Sequence, residues 1–213
     1  MKIYTKTGDQ GETGMLGGVR ISKSSIAIDV TGGLDETNSV LGIVASQLNQ
    51  LSAGQVAAGS LVQLMICQIQ NDLFDLGSRV SACLSDSGRA VEFSSERTVV
   101  LEQWIDQLQK DLPELTAFIL PGGSSAGSFL HQARAVCRRT ERGLVGLATA
   151  DLDWPSEGAN GAVDQRLSIE LAYLNRLSDL LFVMARYVNH QVCLLYTSPS
   201  PRDATLSRMP SSA

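Results

Sequence analysis

The spacing of the apolar residues constrains this chain most. Leu34, Leu41, Val44, Ala45, Leu48 and Leu51 recur on three- and four-residue steps. That is the period of one helix face, not of a strand. A second stretch, from about Gln55 to Ser81, puts Leu61, Leu64, Met65, Ile69, Leu73, Leu76 and Val80 on one stripe. A third runs from about Ser95 to Asp111 with Leu101, Trp104, Ile105 and Leu108 inward, and stops before Pro113. A fourth spans about Ala126 to Ala148 and a fifth about Asp164 to Asn189. Residues 84–93 read as a polar connection. Residues 150–163, with Trp154-Pro155, Gly158 and Gly161, read as a loop. Five amphipathic helices with almost no strand signal predict an all-α, antiparallel five-helix subunit of four-helix-bundle type.

Residues 1–33 depart from this pattern. They are rich in glycine and hydroxyls and read as a loop, with at most a short strand near Ile26–Val30. Asp35 then stands where it would cap the first helix.

Bulk properties narrow the function classes. At 213 residues and 44% apolar, the chain can bury one sizeable core. A net charge of −5 argues against a general nucleic-acid or membrane-surface binder. No run of about 18 apolar residues is present, so no membrane span is expected. The N-terminus lacks an apolar signal segment, and a cytoplasmic location is the simplest expectation. Cys67, Cys83, Cys137 and Cys193 form no CxxC pair, and with only His131 and His190 no zinc site is expected.

From Cys193 onward the text CLLYTSPSPRDATLSRMPSSA loses all periodicity. Its first eleven residues resemble the in-frame translation of a transposase-type sequencing adapter, and Ser207–Ala213 the flow-cell part of the same adapter. The expected division is a natural domain over 1–191 and a non-native, disordered tail over 192–213.

Several polar residues do not fit a plain bundle. The fourth helix reads LHQARAVCRRTER, and Arg134 and Arg138, four apart, share a face that Glu141 joins. A solvated, salt-bridged surface would explain them. So would a guanidinium pair for phosphate, because planar forks bind oxyanions bidentately. In the fifth helix Asn175 and Asp179 share a face with Phe182 and Arg186. A buried asparagine needs partners, so Asn175 is either part of a satisfied buried network or, with Arg176, a contact to a ligand. Phe118, just before a Pro-Gly-Gly turn, is by default a core residue. Asp35, if it is no cap, could pair with an arginine of another helix.

The opening stretch TKTGDQGETGMLGGVRISK matches neither the P-loop pattern nor the dinucleotide fingerprint. Its close glycines could still expose backbone N–H groups as an anion nest, with Lys6 and Lys23 as point charges. By composition it is either a frayed end or a phosphate cradle.

Taken together, TKTGDQGETG, GGVRISK, LDETNSVLG, FILPGG, LHQARAVCRRTER and YLNRLSDLLFVMAR resemble the ATP:cob(I)alamin adenosyltransferases of the PduO type. The resemblance covers about Ile3 to His190. It implies a homotrimer with active sites between subunits and transfer of the 5′-deoxyadenosyl group of ATP to cobalt, with Mg²⁺ on the nucleotide. Thr5, Lys6, Thr7, Gly8, Asp9 and Gly11 match the family's ATP loop, and Lys23 the lysine that closes it. Arg138 matches the arginine that contacts ATP, Glu141 the acid one turn beyond, and Asn175-Arg176 the pair that seats the nucleotide. Asp35 and Arg134 match an inter-subunit pair near the corrin, and Phe118 a ring against its lower face. Phe182 is assigned to the same cobalamin side. A cob(II)alamin reductase and a B12-dependent mutase or dehydratase are the implied partners. Thr37 departs from the apolar residue usual there. The rival expectation is a cobalamin or nucleotide carrier or sensor on the same bundle.

Overall fold

The computed structural model describes residues 2–16, 18–49, 56–83, 92–149 and 167–191. The ends expected near Gln55 and Asp164, the loop 150–163, the tail 192–213 and nearly all of the 84–93 connection lie outside these residues. A small antiparallel hairpin, β1 (Glu12–Gly14) and β2 (Arg20–Ser22), precedes α1 (Ile26–Leu48), α2 (Val56–Cys83), α3 (Glu96–Gln109), α4 (Ser125–Thr149) and α5 (Ser168–Gln191). Glu12 pairs with Ser22, Thr13 with Ile21 and Gly14 with Arg20.

α1 packs on α2 and α4, and α5 closes the ring on the same two helices, while α3 lies outside against α5. Side-chain partners give the directions. Asn38 meets Gln70, whereas Asn49 meets Gln63, so α1 and α2 run antiparallel. Asn175 meets Glu141, whereas Asn189 lies against Gly127, so α4 and α5 do too. The core between them is aliphatic, with Leu41, Ile66, Ile69, Leu130, Leu144 and Leu177 fully buried. Fully burying each such side chain stabilises the fold by about 1.5–3 kcal/mol.

The first helix begins eight residues earlier than its apolar pattern suggests, because Ile26–Val30 is helical rather than a strand. Thr31-Gly32-Gly33 reads as a breaker, yet Gly33 serves a contact. A Cβ there would collide with Thr140 of α4, so glycine lets the two backbones approach. Gly143 lies against Val30 and Gly146 against Ile26 along the same seam. Ser25, with extended backbone, is the N-cap residue, so Asp35 is not a cap but an exposed mid-helix carboxylate. Thr37 is fully buried, and its hydroxyl donates to the Gly33 carbonyl at 2.8 Å. That bond removes the penalty of placing a hydroxyl where an apolar group would sit.

Leu64, expected inward on α2, is 72% exposed. The hairpin docks on the bundle through part-buried Ile21. No described helix is long and apolar enough to cross a membrane.

Candidate active site

A cleft of ≈ 860 Å³ opens between α3, α4, α5 and the irregular segment that joins α3 to α4. Arg134 and Arg138 line it from α4, Arg176 and Phe182 from α5, and Phe118 from the connecting segment. Phe118 is 91% exposed, so the core placement expected by default is wrong. The segment passes over the cleft mouth rather than into the bundle, which leaves its ring without a packing partner in the core.

The arginines differ in how they are committed. Arg176 donates to Glu102 and to Asp179, both at 2.9 Å. Arg138 is exposed, and among the described residues its guanidinium meets no carboxylate. Arg134 is half-buried, and its Nε has no hydrogen-bond partner. A desolvated N–H left unpaired costs about 1–3 kcal/mol. Beside it, His131 is buried with its Nε2 also unpartnered, and its ring meets Phe182 edge-on at 6.1 Å. Burial first, and the charge of Arg134 second, hold His131 below its ordinary value of 6.5. A neutral imidazole thus borders the arginines.

Asn175 is exposed, not buried, and donates to Glu141 at 3.0 Å. This pair stands on the same α4–α5 surface as Arg138. Sequence reasoning missed His131 and the α3 wall of the cleft, made by Glu102, Ile105, Asp106 and Gln109. The polar spacing of Glu102, Asp106 and Gln109 was the available signal for that wall.

The N-terminal loop is ordered by its own charges. Lys23 Nζ donates to the Gly8 carbonyl at 2.7 Å, and a Cβ on Gly8 would press on that ammonium at 3.1 Å. Arg20 donates to the Thr7 carbonyl at 2.7 Å and pairs with Glu12 at 3.2 Å. The Thr5 and Thr7 hydroxyls lie 2.9 Å apart. Lys6 has φ 60 and Gly11 φ 85, so two left-handed residues bend the loop around Asp9. The loop is therefore folded on itself rather than frayed.

One chain does not unite all these residues. None of the described residues of the loop borders the cleft. Leu16 and Asp35 instead border a second groove of ≈ 410 Å³ between α1 and α2, with Asn38, Leu73 and Phe74. Phe118, Arg134, Arg138, Arg176 and Phe182 thus share one site, while Asp35 and Leu16 border the α1–α2 groove and Thr5, Lys6, Thr7, Gly8, Asp9, Gly11 and Lys23 lie outside the cleft.

A bundle with an arginine-lined cleft in which, among the described residues, Arg138 pairs with no carboxylate is suited to anionic ligands. Comparison with known proteins narrows that class. The cobalamin adenosyltransferase family model matches residues 3–188. A corrinoid adenosyltransferase of Mycobacterium leprae is 37% identical over 193 residues, covering 88% of this chain and 91% of that one. The Bacillus subtilis corrinoid adenosyltransferase is 39% identical over 189 residues, covering 89% and 87%. A solved variant of the PduO-type ATP:corrinoid adenosyltransferase of Lactobacillus reuteri, complexed with cobalamin and ATP, superposes with a TM-score of 0.76 at 31% identity, covering 92% and 96%. The chain belongs to the cobalamin adenosyltransferase family.

Proposed function

We propose that this enzyme, an ATP-dependent corrinoid adenosyltransferase, moves the 5′-deoxyadenosyl group of ATP to the cobalt of cob(I)alamin and releases triphosphate. Cobalt is the nucleophile. Its electron pair forms the Co–C5′ bond while the C5′–O bond breaks, and that bond's electrons leave with the triphosphate. The protein needs no nucleophile of its own, so its contribution is positioning and electrostatics.

The observation that carries this reading is the uncommitted guanidinium of Arg138, exposed on the wall of a cleft that Phe118 overhangs. Arg138 stabilises charge that grows on the leaving triphosphate. Arg176 and the Asn175–Glu141 pair seat the nucleotide beside it. Phe118 and Phe182 face the corrin, and Phe118 keeps water or the cofactor's own base off the lower axial position. Without that ligand cobalt(II) is easier to reduce to cobalt(I). Arg134, with its unpaired Nε, takes Asp35 of a neighbouring subunit as its partner.

The reading includes a homotrimer, in which neighbouring copies would reconcile the split between the two sides. A second copy would carry its loop, from Thr5 to Lys23, and its Asp35 to the cleft of the first. Mg²⁺, bound with the nucleotide, would supply further charge neutralisation beside Arg138 and Lys23. Guanidinium and ammonium donors suit phosphate oxygens, and among the described residues no group of three or more His, Cys, Asp or Glu side chains could hold a metal ion. The working compartment is the cytoplasm. A cob(II)alamin reductase supplies the substrate, and a B12-dependent mutase or dehydratase accepts the product.

The test is to incubate the full chain with ATP, Mg²⁺ and chemically reduced cobalamin and follow adenosylcobalamin by absorbance, with the mass in solution measured alongside. Turnover by a species of three chains is expected. Tight cobalamin binding without product would instead mark a carrier or sensor, and an active monomer would refute the shared site.

A further inference from the structure

The segment that carries Phe118 has no core of its own. From Pro113 to Pro121 every residue except Ile119 is exposed. Something other than burial must set its height above the cleft. Two polar residues in the last turns of α5 supply the contacts. Arg186 is only 8% exposed, in a helix turn that is otherwise apolar, and its guanidinium donates to the Pro113 carbonyl at 2.6 Å. Among the described residues no carboxylate pairs with it. Asn189, one turn on and 6% exposed, donates from Nδ2 to the Gly122 carbonyl at 2.8 Å. Its Oδ1 accepts from both the N–H and the hydroxyl of Ser124 at 2.9 Å. Ser124 Oγ in turn accepts from the Gly127 N–H at 3.0 Å, in the first turn of α4.

The glycines of this region make room for the amide. A Cβ on Gly123, which has φ +109, or on Gly127 would collide with the Asn189 side chain. Pro-Gly-Gly, Gly127 and Asn189 therefore form one joint. Buried polar groups are retained only where they are bonded, and both of these spend their bonds on the two ends of one exposed segment.

We propose that Arg186 and Asn189 are positioning residues for the transferase reaction: they pin the segment at Pro113 and at Gly122–Ser124, and so fix Phe118 over the corrin. The proposal rests on the axial role given to Phe118 above. A displacement of about 1 Å can lower a rate roughly 100-fold, so a loosened ring should act much like a missing one.

The experiment compares product formation starting from cob(II)alamin plus reductant with that from preformed cob(I)alamin, in the full chain. Asn189→Ala should lose roughly 10- to 100-fold from cobalt(II) and far less from cobalt(I), with KM for ATP unchanged. Phe118→Ala should show the same asymmetry, and the double variant should be no worse than Phe118→Ala alone. Arg186→Lys, which keeps a donor, should retain more of the cobalt(II) rate than Arg186→Ala. Asn189→Asp, which keeps shape and acceptor but loses the donor to Gly122, serves if the alanine variant does not fold. Wild-type behaviour in both Asn189 variants, equal loss from the two cobalt states while Phe118→Ala is selective, or additive losses in the double variant would each overturn the proposal. If Phe118→Ala itself proves unselective, the axial reading fails and amide exchange decides the anchoring. Faster exchange at residues 114–120 in the Asn189 variants supports it, and unchanged exchange refutes it.

Discussion

Two polar regions of this bundle use the same residue types and end in opposite states. Between α2, α3 and α5, the buried carboxylate of Asp72 accepts from the Tyr173 hydroxyl and from Arg97, both at 2.9 Å, and from Gln68 at 3.0 Å. Arg97 also pairs with Asp75 at 2.7 Å and stacks over the Phe93 ring at 4.6 Å. That ring meets Tyr173 edge-on at 5.2 Å. In the cleft between α4 and α5, Arg138 meets no carboxylate among the described residues and Arg134 Nε has no partner. A matched network holds helices together. Unmatched cations beside a cleft keep their field for a ligand. The first region stabilises the fold, and the second is where a substrate supplies the missing anions.

The sharpest way to break this contrast is Arg138→Ala. Losing a donor aimed at developing charge should lower kcat by roughly 100- to 1000-fold, while the thermal midpoint stays put. Steady-state rates with a parallel melt check both halves, and normal turnover contradicts the assigned role. Asp72→Ala should do the reverse. It takes from Arg97 one of its two carboxylates, leaving Asp75, and leaves a buried tyrosine hydroxyl without its acceptor, and should cost about 2–3 kcal/mol of stability. Denaturant titration reads that loss, and KM for ATP in the folded fraction should be unchanged. Tyr173→Phe removes one bond but leaves Asp72 its arginine and Gln68, so about 1 kcal/mol is expected from the same titration.

The smallest effect concerns pH. His131 is held neutral in the folded protein by burial and then by Arg134. Its folded value lies below 6.5, so as pH falls through 6.5 the unfolded chain binds this proton first. Stability from this group is thus constant above that value and declines below it, by at most about 1.4 kcal/mol per pH unit. His131→Gln should flatten the dependence of the midpoint between neutral and mildly acid pH. An equally steep profile in the variant would assign the effect elsewhere.

Apolar period was enough to find the five helices, since a three-to-four repeat has one low-energy backbone solution when a face must be buried. It also put Arg134 and Arg138 on one helix face, because helix geometry is local. It misjudged residues whose setting depends on another element. Gly32-Gly33 looks like a break until α4 lies against it. Asp35 looks like a cap only if the helix starts late. Phe118 looks like core because an aromatic beside Ile119 and Leu120 usually is, and only the path of the connecting segment brings it out over the cleft.

The sequence by itself determined the five helices, most of their core stripes and, through six ordered motifs, the family. Those rest on local propensity and on residue identity. The tertiary structure alone decided which arginines are neutralised and which remain free, that the loop and Asp35 lie outside the cleft, and that Arg186 and Asn189 grip the segment bearing Phe118. The deciding contacts include partners far apart in the chain, 65 positions for Asn189–Ser124, 73 for Arg186–Pro113 and 91 for Arg79–Glu170, and no short-range pattern encodes such a distance. Hydrogen bonding and desolvation act on atoms that meet in space, so only packing could tell a satisfied charge from a waiting one.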